Sequence, residues 1–363
     1  MRSSSLAAPR KKVKAALLGC TGLVGQQFVR MLDGHPYFDL VTLTSSPRSA
    51  GRPFESAVSW SVGGKMPEFA RRLMIRGTAP DELTEGGARL AFSALPSGAA
   101  NIIEPELRRR GWLVFSNASS RRRDTDVPVV IPEVNPSHLG LAEAQVSSWG
   151  GAIVTDSNCS VSGLVLVLKP LMALGLESVT VATYQAISGA GRRGLAAMDV
   201  AANVIPFIRD EEEKIERETQ KILGRRAGGR IAASPLAVNA SCGRVPVRDG
   251  HLLSLRLDFS RTVGTEDVEK ALSDFRGLPQ DWGLPSAPER PLIVRTEEDR
   301  PQPVLDVLAG DPERARGMSV TVGRIRAKRC SVNCWVLVHN TIRGAAGGCL
   351  LNAELALRQG FIC

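Results

Sequence analysis

The chain has 363 residues, 43% of them apolar and 23% charged, proportions that are ordinary for a globular protein of two or three domains. No run approaches the roughly 18 uncharged apolar residues of a membrane span, so no membrane partner is expected. The formal net charge of +9 favours an anionic partner, but aromatic residues make up only 5% and none alternates with the arginine triplets at 108–110 and 121–123. A stacking platform for nucleic acid is therefore not expected, and the arginines form a solvated surface or hold an anionic substrate or cofactor.

The first 150 residues alternate strands with helices. The basic opening MRSSSLAAPRKKVK is followed by no apolar segment, so no secretory signal is expected. A mitochondrial presequence is the rival interpretation, which a first strand starting by Val13 disfavours. A strand, a glycine turn and a helix follow, and further strands are predicted at FDLVTLTSS, ARLAFSALPSG and GWLVFSNASS. This alternation predicts an α/β fold with a Rossmann-like, doubly wound parallel sheet.

The pattern changes after Cys159. VSGLVLVLKPLMAL is apolar all round, as in a buried helix, and RDEEEKIERETQKIL is a charged helix. Four segments alternate with a period close to two: SVTVATYQAIS, HLLSLRLDFS, SVTVGRIR and SVNCWVLVHN. They predict an α+β domain with a mainly antiparallel sheet that helices cover on one face. The last segment, GAAGGCLLNAELALRQGF, is a helix that can return to the first domain.

The glycine turn is the candidate cofactor site. Gly19, Gly22 and Gly25 lie between a strand and a helix, where glycines let the backbone approach a pyrophosphate and the helix N-terminus favours an anion. The spacing is GxxGxxG rather than GxGxxG, and a tight turn without a ligand is the alternative. The second strand ends in Ser45-Ser46-Pro47-Arg48-Ser49, whose hydroxyls and guanidinium suit the 2′-phosphate of NADP. Asp39 is at about the right count for an NAD ribose contact, but it precedes the core of the strand.

Cys159 is the candidate nucleophile. A strand precedes it and a helix follows, and a helix N-terminus lowers the pKa of a thiol from about 8.5. Together with an NADP site, this predicts attack on an acyl carbon followed by hydride transfer. The alternative is a buried residue at the helix cap, comparable to Cys20 or Cys349.

A partner base is sought among four histidines. His35 and His138 lie in turn sequences, and His339 lies within an apolar strand, where a core role is expected. His251 stands at a glycine-flanked strand start and is the best candidate base. Arg244, seven residues earlier, can hold a substrate carboxylate with a bidentate fork.

The cysteines indicate the compartment. Seven cysteines without paired spacing favour a reducing compartment over a disulfide framework. Cys330 and Cys334 are the only close pair and lack His or Cys partners at metal-ligand spacing. A cytoplasmic protein without a metal site is therefore expected.

Six stretches together resemble the aspartate-β-semialdehyde dehydrogenase family, and most closely its archaeal and fungal branch: GCTGLVGQ, FSALPS, NASSRRR, SNCS, TYQAISGAG and GRVPVRDGH. The likeness runs from about Val13 to the C-terminus. It implies NADPH-dependent reduction of L-aspartyl 4-phosphate to L-aspartate 4-semialdehyde with release of phosphate, a step towards lysine, threonine, methionine and isoleucine. It also implies a homodimer or homotetramer that packs through the second domain.

The resemblance implies a role for each site residue. Cys159 would be the acyl-thioester nucleophile, His251 the acid/base, and Gln185 the residue that orients the acyl intermediate. The implied substrate-binding residues are Asn117, Arg122, Glu211, Lys214 and Arg244. Arg244 would bind the α-carboxylate and Arg122 the phosphate, although Arg121 and Arg123 leave that alignment uncertain by one position. Glu211 would take the ammonium and Lys214 the phosphate, unless this helix is only a solvated charged one, since Glu212 and Glu213 crowd the assignment.

The resemblance likewise implies a cofactor site and a domain division. The implied NADP-binding residues are Gly19, Thr21, Gly22, Leu23 and Val24 at the pyrophosphate, Ser45, Arg48 and Ser49 at the 2′-phosphate, and Ser93, Leu95, Pro96, Ser188, Gly189 and Asn340 towards the nicotinamide. Residues 1–157 and 340–363 would form the NADP-binding domain, and residues 158–339 the catalytic and dimerisation domain.

Several alternatives remain open. A malonyl-CoA reductase shares almost every one of these motifs, and its CoA substrate would not require Glu211 to receive an ammonium group. An N-acetyl-glutamyl-phosphate reductase normally carries a different flank around its cysteine. A nucleotide-sensing or nucleic-acid-binding protein without catalysis would suit the positive charge, but it would not need Cys159, His251, Gln185 and Arg244 together.

Overall fold

Two six-stranded sheets organise the protein. The computed structural model describes residues 11–361, apart from the side chains of residues 84 and 85. The expectation about a targeting signal concerns the residues before these and lies outside the described part of the chain. No helix between residues 11 and 361 is long and apolar enough to cross a membrane.

All strands of the first sheet are parallel, in the order β3-β2-β1-β4-β5-β6. They are β1 (Val13–Leu18), β2 (Phe38–Thr44), β3 (Ile75–Arg76), β4 (Leu90–Ser93), β5 (Leu113–Ser116) and β6 (Ala152–Thr155). This order is that of doubly wound dinucleotide-binding folds, so the predicted Rossmann-like sheet is confirmed.

Helices connect these strands. They are α1 (Leu23–Met31), α2 (Phe54–Ala57), α3 (Glu68–Arg71), α4 (Ser97–Arg109) and α5 (Gly140–Trp149), with 3₁₀ turns at Pro80–Gly86 and Pro136–Leu139. An aromatic cluster fills the space between α1 and the sheet, where the ring centroid of Phe92 lies 5.1 Å from that of Phe28 and 5.5 Å from that of Phe38. These rings are fully or almost fully buried, so the sheet provides a rigid base for the loops at its carboxyl edge.

The second sheet has the order β10-β7-β11-β14-β13-β12. Its strands are β7 (Leu176–Gln185), β10 (Ala237–Arg244), β11 (His251–Phe259), β12 (Leu292–Arg295), β13 (Val320–Lys328) and β14 (Ser331–Val338), while β8 (Arg225–Ala227) and β9 (Arg230–Ala232) form a separate hairpin. The four predicted strands are the central ones and pair antiparallel, as expected. The two edge strands, β10 and β12, were not predicted and pair parallel, which makes the sheet mixed.

One face of this sheet carries helices. They are α6 (Cys159–Leu171), α8 (Glu211–Ile222) and α9 (Thr265–Ser273). The same stretch of the chain also forms α7 (Ala197–Val200), α10 (Leu278–Asp281) and α11 (Pro303–Asp306), with 3₁₀ turns at Met172–Leu174, Ile187–Ala190 and Glu313–Ala315. α6 is buried on all sides between β14, α8 and α9, as its uniformly apolar sequence predicts. On the opposite face, Tyr184 and Arg256 are exposed.

The chain then returns to the first sheet. A π turn at Ile342–Ala346 leads into α12 (Gly347–Arg358), which packs against α1 and β5. Glu354 of this helix lies 3.0 Å from His35 in a fully buried pair. α12 therefore belongs to the core of the first sheet, although the strands of the second sheet precede it in the sequence.

Candidate active site

Cys159 is the first residue of α6 and directly follows the loop that leaves β6. Asn158 caps this helix, because its side-chain oxygen accepts hydrogen bonds from the main-chain nitrogens of Ser160 (2.8 Å) and Val161 (3.3 Å). The loop, the cap and the helix therefore place the thiol at the carboxyl edge of the first sheet, beside the second sheet.

His251 faces the thiol. Its Nε2 lies 3.1 Å from Cys159 Sγ, and the ring is fully buried at the start of β11. The main-chain N–H of Ala186 donates to Nδ1 over 3.0 Å, so the neutral ring carries its hydrogen on Nε2, where it points at the sulfur. The structure thus brings the predicted nucleophile and its predicted partner into direct contact.

The expected lowering of the thiol pKa was wrong. Exclusion of water raises the pKa of Cys159 to about 12, and the carboxylate of Glu211 adds to the rise, while Arg122 and Arg244 oppose it. Burial likewise lowers the pKa of His251 to about 3, with Arg244 contributing. The helix N-terminus does not prevail because the exclusion of water has the larger effect on both groups, so the resting pair is a neutral thiol and a neutral imidazole.

Gln185 and Glu211 flank the sulfur. Glu211, the first residue of α8, accepts hydrogen bonds over 2.9 Å from both Gln185 Nε2 and Asn158 Nδ2. The neighbouring acids point elsewhere: Glu212 accepts from the main chain of Cys242, and Glu213 pairs with Arg123 and Arg217 at the surface. Among the three consecutive glutamates, Glu211 is therefore the one that faces the thiol.

Arg244 ends β10 directly opposite Gln185 in the register of the sheet. It is buried, and its Nη1 donates to the carbonyl of Ala186 over 2.8 Å. A Cβ on Gly189 would lie only 2.7 Å from this Nη1 and 3.1 Å from Cε1 of His251. The small residue at position 189 therefore allows the guanidinium and the imidazole to share one side of the site.

The three consecutive arginines point in different directions. Arg122 is buried, and it donates from Nη1 to Glu218 over 3.2 Å and from Nη2 to the carbonyl of Asn117 over 2.8 Å. Arg121 pairs with Asp124, and the exposed Arg123 pairs with Glu213. Arg122 is also close enough to Cys159 for their charges to interact. The geometry thus supports the implied alignment at Arg122 rather than at either neighbour.

Lys214 lines a cavity beside this arginine. Arg122, Glu218 and Lys221 share the cavity wall, as do Ser119 and Ser120. Lys214 therefore lies on the side of α8 that holds Arg122, whereas Glu211 reaches towards the thiol. The helix brings both predicted substrate-binding side chains to one end of the site.

The glycine turn has the shape that close approach of a ligand requires. Gly19 has a φ of +81°, and a Cβ there would lie 2.8 Å from the carbonyl oxygen of Ala94. A Cβ on Gly25 would lie 2.2 Å from the carbonyl oxygen of Gly19, so this glycine lets α1 pack on the turn. Gly22 caps α1, and Leu23 and Val24 are its partly exposed first residues.

The end of β2 meets this turn. Thr21 Oγ1 and Ser45 Oγ lie 2.9 Å apart, which joins the two predicted phosphate-binding segments. Arg48 is exposed and Ser49 partly exposed in the turn that follows. Asp39 stands at the opposite end of β2, exposed and remote from these hydroxyls, which agrees with its exclusion as a ribose ligand.

The predicted nicotinamide residues occupy two different settings. Asn340 donates to Ser188 Oγ over 2.8 Å and accepts from the main chain of Gly250 over 2.9 Å, so it ties two loops of the cleft together. Ser93 and Leu95 are buried, and Pro96 is exposed at the start of α4. The side chain of Ser93 therefore does not form part of the open surface of the cleft.

Three residues of the site were missed from the sequence. Asn158 caps α6, and Asn directly before a helix is a recognisable N-cap signal. Glu218 accepts from the main-chain nitrogen of Asn158 over 2.6 Å, and its spacing of seven from Glu211 on one helix could have indicated a shared face. Gly344 lies so near that a Cβ there would be 2.8 Å from Cys159 Cα, and no sequence signal indicates this contact.

The turn that contains Gly344 is held by a buried ion pair. Arg343 makes two hydrogen bonds with Glu133, of 2.8 and 2.6 Å, and both side chains are almost fully buried. This bidentate pair joins the turn to the extended segment that follows β5. The back of Cys159 is therefore enclosed by rigid main chain.

No cluster of three or more metal-ligating side chains occurs among residues 11–361. The arginines of the first triplet, 108–110, form ion pairs with nearby acidic residues. Arg108 contacts Asp126, and both Arg109 and Arg110 contact Glu106. This pairing is that of a solvated surface and not of an unopposed basic patch.

Comparison with family models decides where the chain belongs. The model described as the semialdehyde dehydrogenase NAD binding domain matches residues 14–142, and the model described as the semialdehyde dehydrogenase dimerisation domain matches residues 168–343. The chain belongs to the semialdehyde dehydrogenase family. The match of the first model to residues 14–142 agrees with the Rossmann-like sheet predicted for this part of the chain.

Individual relatives agree with this placement. The chain is 45% identical to the aspartate-semialdehyde dehydrogenase of Archaeoglobus fulgidus, over 97% of the chain and 100% of that protein. It is 39% identical to the enzyme of the same name from Schizosaccharomyces pombe, over 96% and 99%. The solved structure of aspartate semialdehyde dehydrogenase with NADP from Candida albicans has a TM-score of 0.87 and 38% identity, and the match covers 96% of this chain and 100% of that one. The resemblance to the archaeal and fungal branch is confirmed.

One relative is named for a different activity. The chain is 36% identical to a malonyl CoA reductase (NADP) from Metallosphaera sedula, over 97% of the chain and 99% of that protein. The two activities therefore occur in proteins that are similar to this chain along nearly its whole length.

Proposed function

We propose that the protein reduces L-aspartyl 4-phosphate to L-aspartate 4-semialdehyde with NADPH and releases phosphate. The contact of 3.1 Å between Cys159 Sγ and His251 Nε2 carries this proposal. Around the sulfur stand two buried guanidiniums, those of Arg122 and Arg244, and the buried carboxylate of Glu211. Two cations and one anion complement a substrate that has a phosphate, a carboxylate and an ammonium group.

Each residue then has a defined chemical role. Sγ attacks the acyl carbon, the bond from that carbon to the phosphate oxygen breaks, the thiol proton leaves with the phosphate, and a thioester forms on Cys159. Bound NADPH supplies the hydride that reduces this thioester. The carbon–sulfur bond then breaks, which releases the aldehyde and restores the sulfur. His251, the proposed acid/base, presents Nε2–H to the oxygen of each tetrahedral intermediate.

Substrate binding would also activate the thiol. The carboxylate of Glu211 raises the pKa of Cys159, so an ammonium group bound to Glu211 would remove that effect. Gln185, which donates to the same carboxylate oxygen, would hold the acyl oxygen while Arg244 binds the α-carboxylate. Arg122, with Asn117 and Lys214 beside it, would bind the phosphate.

The cofactor site is proposed from the same geometry. The turn at Gly19 and the N-terminus of α1 suit a pyrophosphate, and Ser45, Arg48 and Ser49 suit a 2′-phosphate. Ser188, Gly189 and Asn340 would lie near the nicotinamide. NADP in preference to NAD is therefore proposed.

We further propose a cytoplasmic homodimer or homotetramer. The match to a dimerisation domain and the helix-free face of the second sheet support the assembly. The division into 1–157 with 340–363 and 158–339 is also a proposal, and the packing of α12 on α1 and β5 supports it.

Malonyl-CoA reduction is the second candidate, favoured only by the relative from Metallosphaera sedula. Glu211 opposes it, because malonyl-CoA has no ammonium group to pair with this carboxylate. A Glu211→Gln variant that lost activity with the aspartyl substrate and kept it with the malonyl one would support this distinction.

The test is phosphate-dependent reduction of NADP by aspartate semialdehyde, beside malonate semialdehyde with CoA. Turnover with aspartate semialdehyde that disappears in Cys159→Ala is expected. Cys330, a partly exposed free cysteine in the β13–β14 turn, provides the matched control, and Cys330→Ala should retain activity. Activity with malonate semialdehyde and CoA alone would show that the enzyme catalyses the second reaction instead. Activity that survives Cys159→Ala would refute the mechanism.

A further inference from the structure

A lysine at the end of α8 holds the loop that follows β5. Lys221 Nζ donates to the carbonyl oxygens of Arg122 (2.8 Å), Asp124 (2.8 Å) and Val127 (2.9 Å). An ammonium group has three hydrogens, so these three bonds use all of them. The three acceptors lie within six residues of one another, and a single side chain therefore fixes the course of this loop.

The lysine is unusual in its surroundings. It is partly buried, and burial lowers its pKa to about 8, while the carboxylates of Asp124, Glu218 and Asp126 oppose this shift. An apolar residue of similar length would avoid the desolvation cost but would leave three carbonyl groups without a donor. The course of the loop therefore depends on the ammonium group of Lys221 and not only on how the side chain packs.

The loop that Lys221 holds carries the proposed phosphate ligand. Arg122 is bound to α8 twice, by its main-chain carbonyl to Lys221 and by its guanidinium to Glu218. Glu218 in turn accepts from the main-chain nitrogen of Asn158, next to the nucleophile. Residues 211, 214, 218 and 221 recur at helical spacing, so one face of α8 contacts the thiol's helix cap, the phosphate cavity and the loop.

We infer that Lys221 is a positioning residue that sets the guanidinium of Arg122 for the phosphate group of the acyl-phosphate substrate. This inference rests on the proposed function, since it assumes that Arg122 binds phosphate. Loss of the clamp frees the main chain at Arg122 while leaving the contact between Cys159 and His251 and the glycine turn in place. The loss of Lys221 should therefore weaken the binding of phosphate and leave the binding of the other substrates unchanged.

The experiment compares Lys221→Met and Lys221→Gln with Lys270→Met. Lys270 is an exposed lysine on α9 that pairs with Asp274, so it controls for the loss of a helical lysine without contact to the site. The KM values for phosphate, aspartate semialdehyde and NADP are measured separately. We expect KM for phosphate to rise about 10-fold or more in Lys221→Met, because a misplaced charge-assisted hydrogen bond costs at least that factor. The KM values for aspartate semialdehyde and NADP should change less than about 2-fold. Lys221→Gln retains an amide donor, so its KM for phosphate should lie between those of wild type and Lys221→Met.

A binding measurement separates this inference from the proposed function. The melting temperature of each variant is recorded against inorganic phosphate and, separately, against NADP. We expect Lys221→Met to need about 10-fold more phosphate than wild type for the same increase in melting temperature. The increase that NADP causes should be the same in both proteins. A wild type that responds to phosphate but does not oxidise aspartate semialdehyde would refute the proposed function alone.

Two outcomes would overturn the inference. One is a Lys221→Met protein whose phosphate response and KM for phosphate match those of Lys270→Met. The other is an equal rise in all three KM values, which would show a general structural role. If Lys221→Met does not fold, the same comparison is decided with Lys221→Gln.

Discussion

Gly344 provides the sharpest test of how Cys159 is held in place. In Gly344→Ala, the new Cβ would lie 2.8 Å from both Cα and Cβ of Cys159 and 2.9 Å from its carbonyl oxygen. Ordinary van der Waals contact begins near 3.4 Å, so the two segments must separate by about 0.6 Å. The obstructing atoms are two main-chain atoms and a Cβ, so no flexible side-chain end can move aside.

The displacement acts on both rate and stability. Because a misplacement of about 1 Å costs about 100-fold, we expect kcat to fall about 10- to 100-fold. Overpacking of this kind lowers the free energy of unfolding by about 1–3 kcal/mol. The bidentate pair between Arg343 and Glu133 resists movement of the turn, so Cys159 should move more than the turn does.

The assay is phosphate-dependent NADP reduction together with urea unfolding. Gly98→Ala is the matched control, since Gly98 is an exposed position of α4 and a Cβ there meets nothing within 4 Å. The control should keep wild-type kcat and show a stability equal to or slightly above that of wild type, because alanine is the better helix former. A Gly344→Ala enzyme with wild-type kcat and wild-type stability would refute the close packing of the turn on the nucleophile.

Two further predictions concern the cofactor and pH. Arg48→Ala should raise KM for NADP about 10-fold or more and leave KM for NAD nearly unchanged, because the lost hydrogen bond is to a phosphate that NAD lacks. Equal changes for both cofactors would remove Arg48 from the 2′-phosphate site. The pKa of His251 is about 3 in the folded protein and near 6.5 when unfolded, so below about pH 6.5 the unfolded state binds a proton that the folded state does not. Urea unfolding should therefore show stability falling as pH drops from 6.5, less steeply in His251→Asn, and identical slopes would contradict the buried neutral imidazole.

Much of the fold was predictable because the hydrophobic period is local. The alternation of strands with helices predicted the parallel sheet, and period-two segments predicted β7, β11, β13 and β14. The edge strands β10 and β12 escaped notice for physical reasons. β10 has the sequence AVNASCGR, in which small and polar residues conceal the alternation, and β12 has only four residues. β3 has two residues and left no pattern to find.

The chemistry of the site was predictable in kind but not in its electrostatics. Residue types and their order indicated Cys159, His251 and Arg244, the resemblance added Gln185, and the structure brings these four side chains together. The pKa of the thiol was assigned the wrong direction, because a helix N-terminus is visible in a sequence while exclusion of water is not. The choice of Arg122 over its two neighbours likewise needed the position of Glu218 in space.

By itself, the sequence determined the local features of this protein: its strands and helices, its glycine turn and the residue types available for catalysis. These depend on the backbone and on neighbours a few positions away. The tertiary structure alone decided which distant groups meet, such as Gly344 behind Cys159 and Lys221 on the loop of Arg122. Such contacts arise from the packing of elements that lie about 100 or more residues apart, and burial then sets the charge states of the groups they enclose.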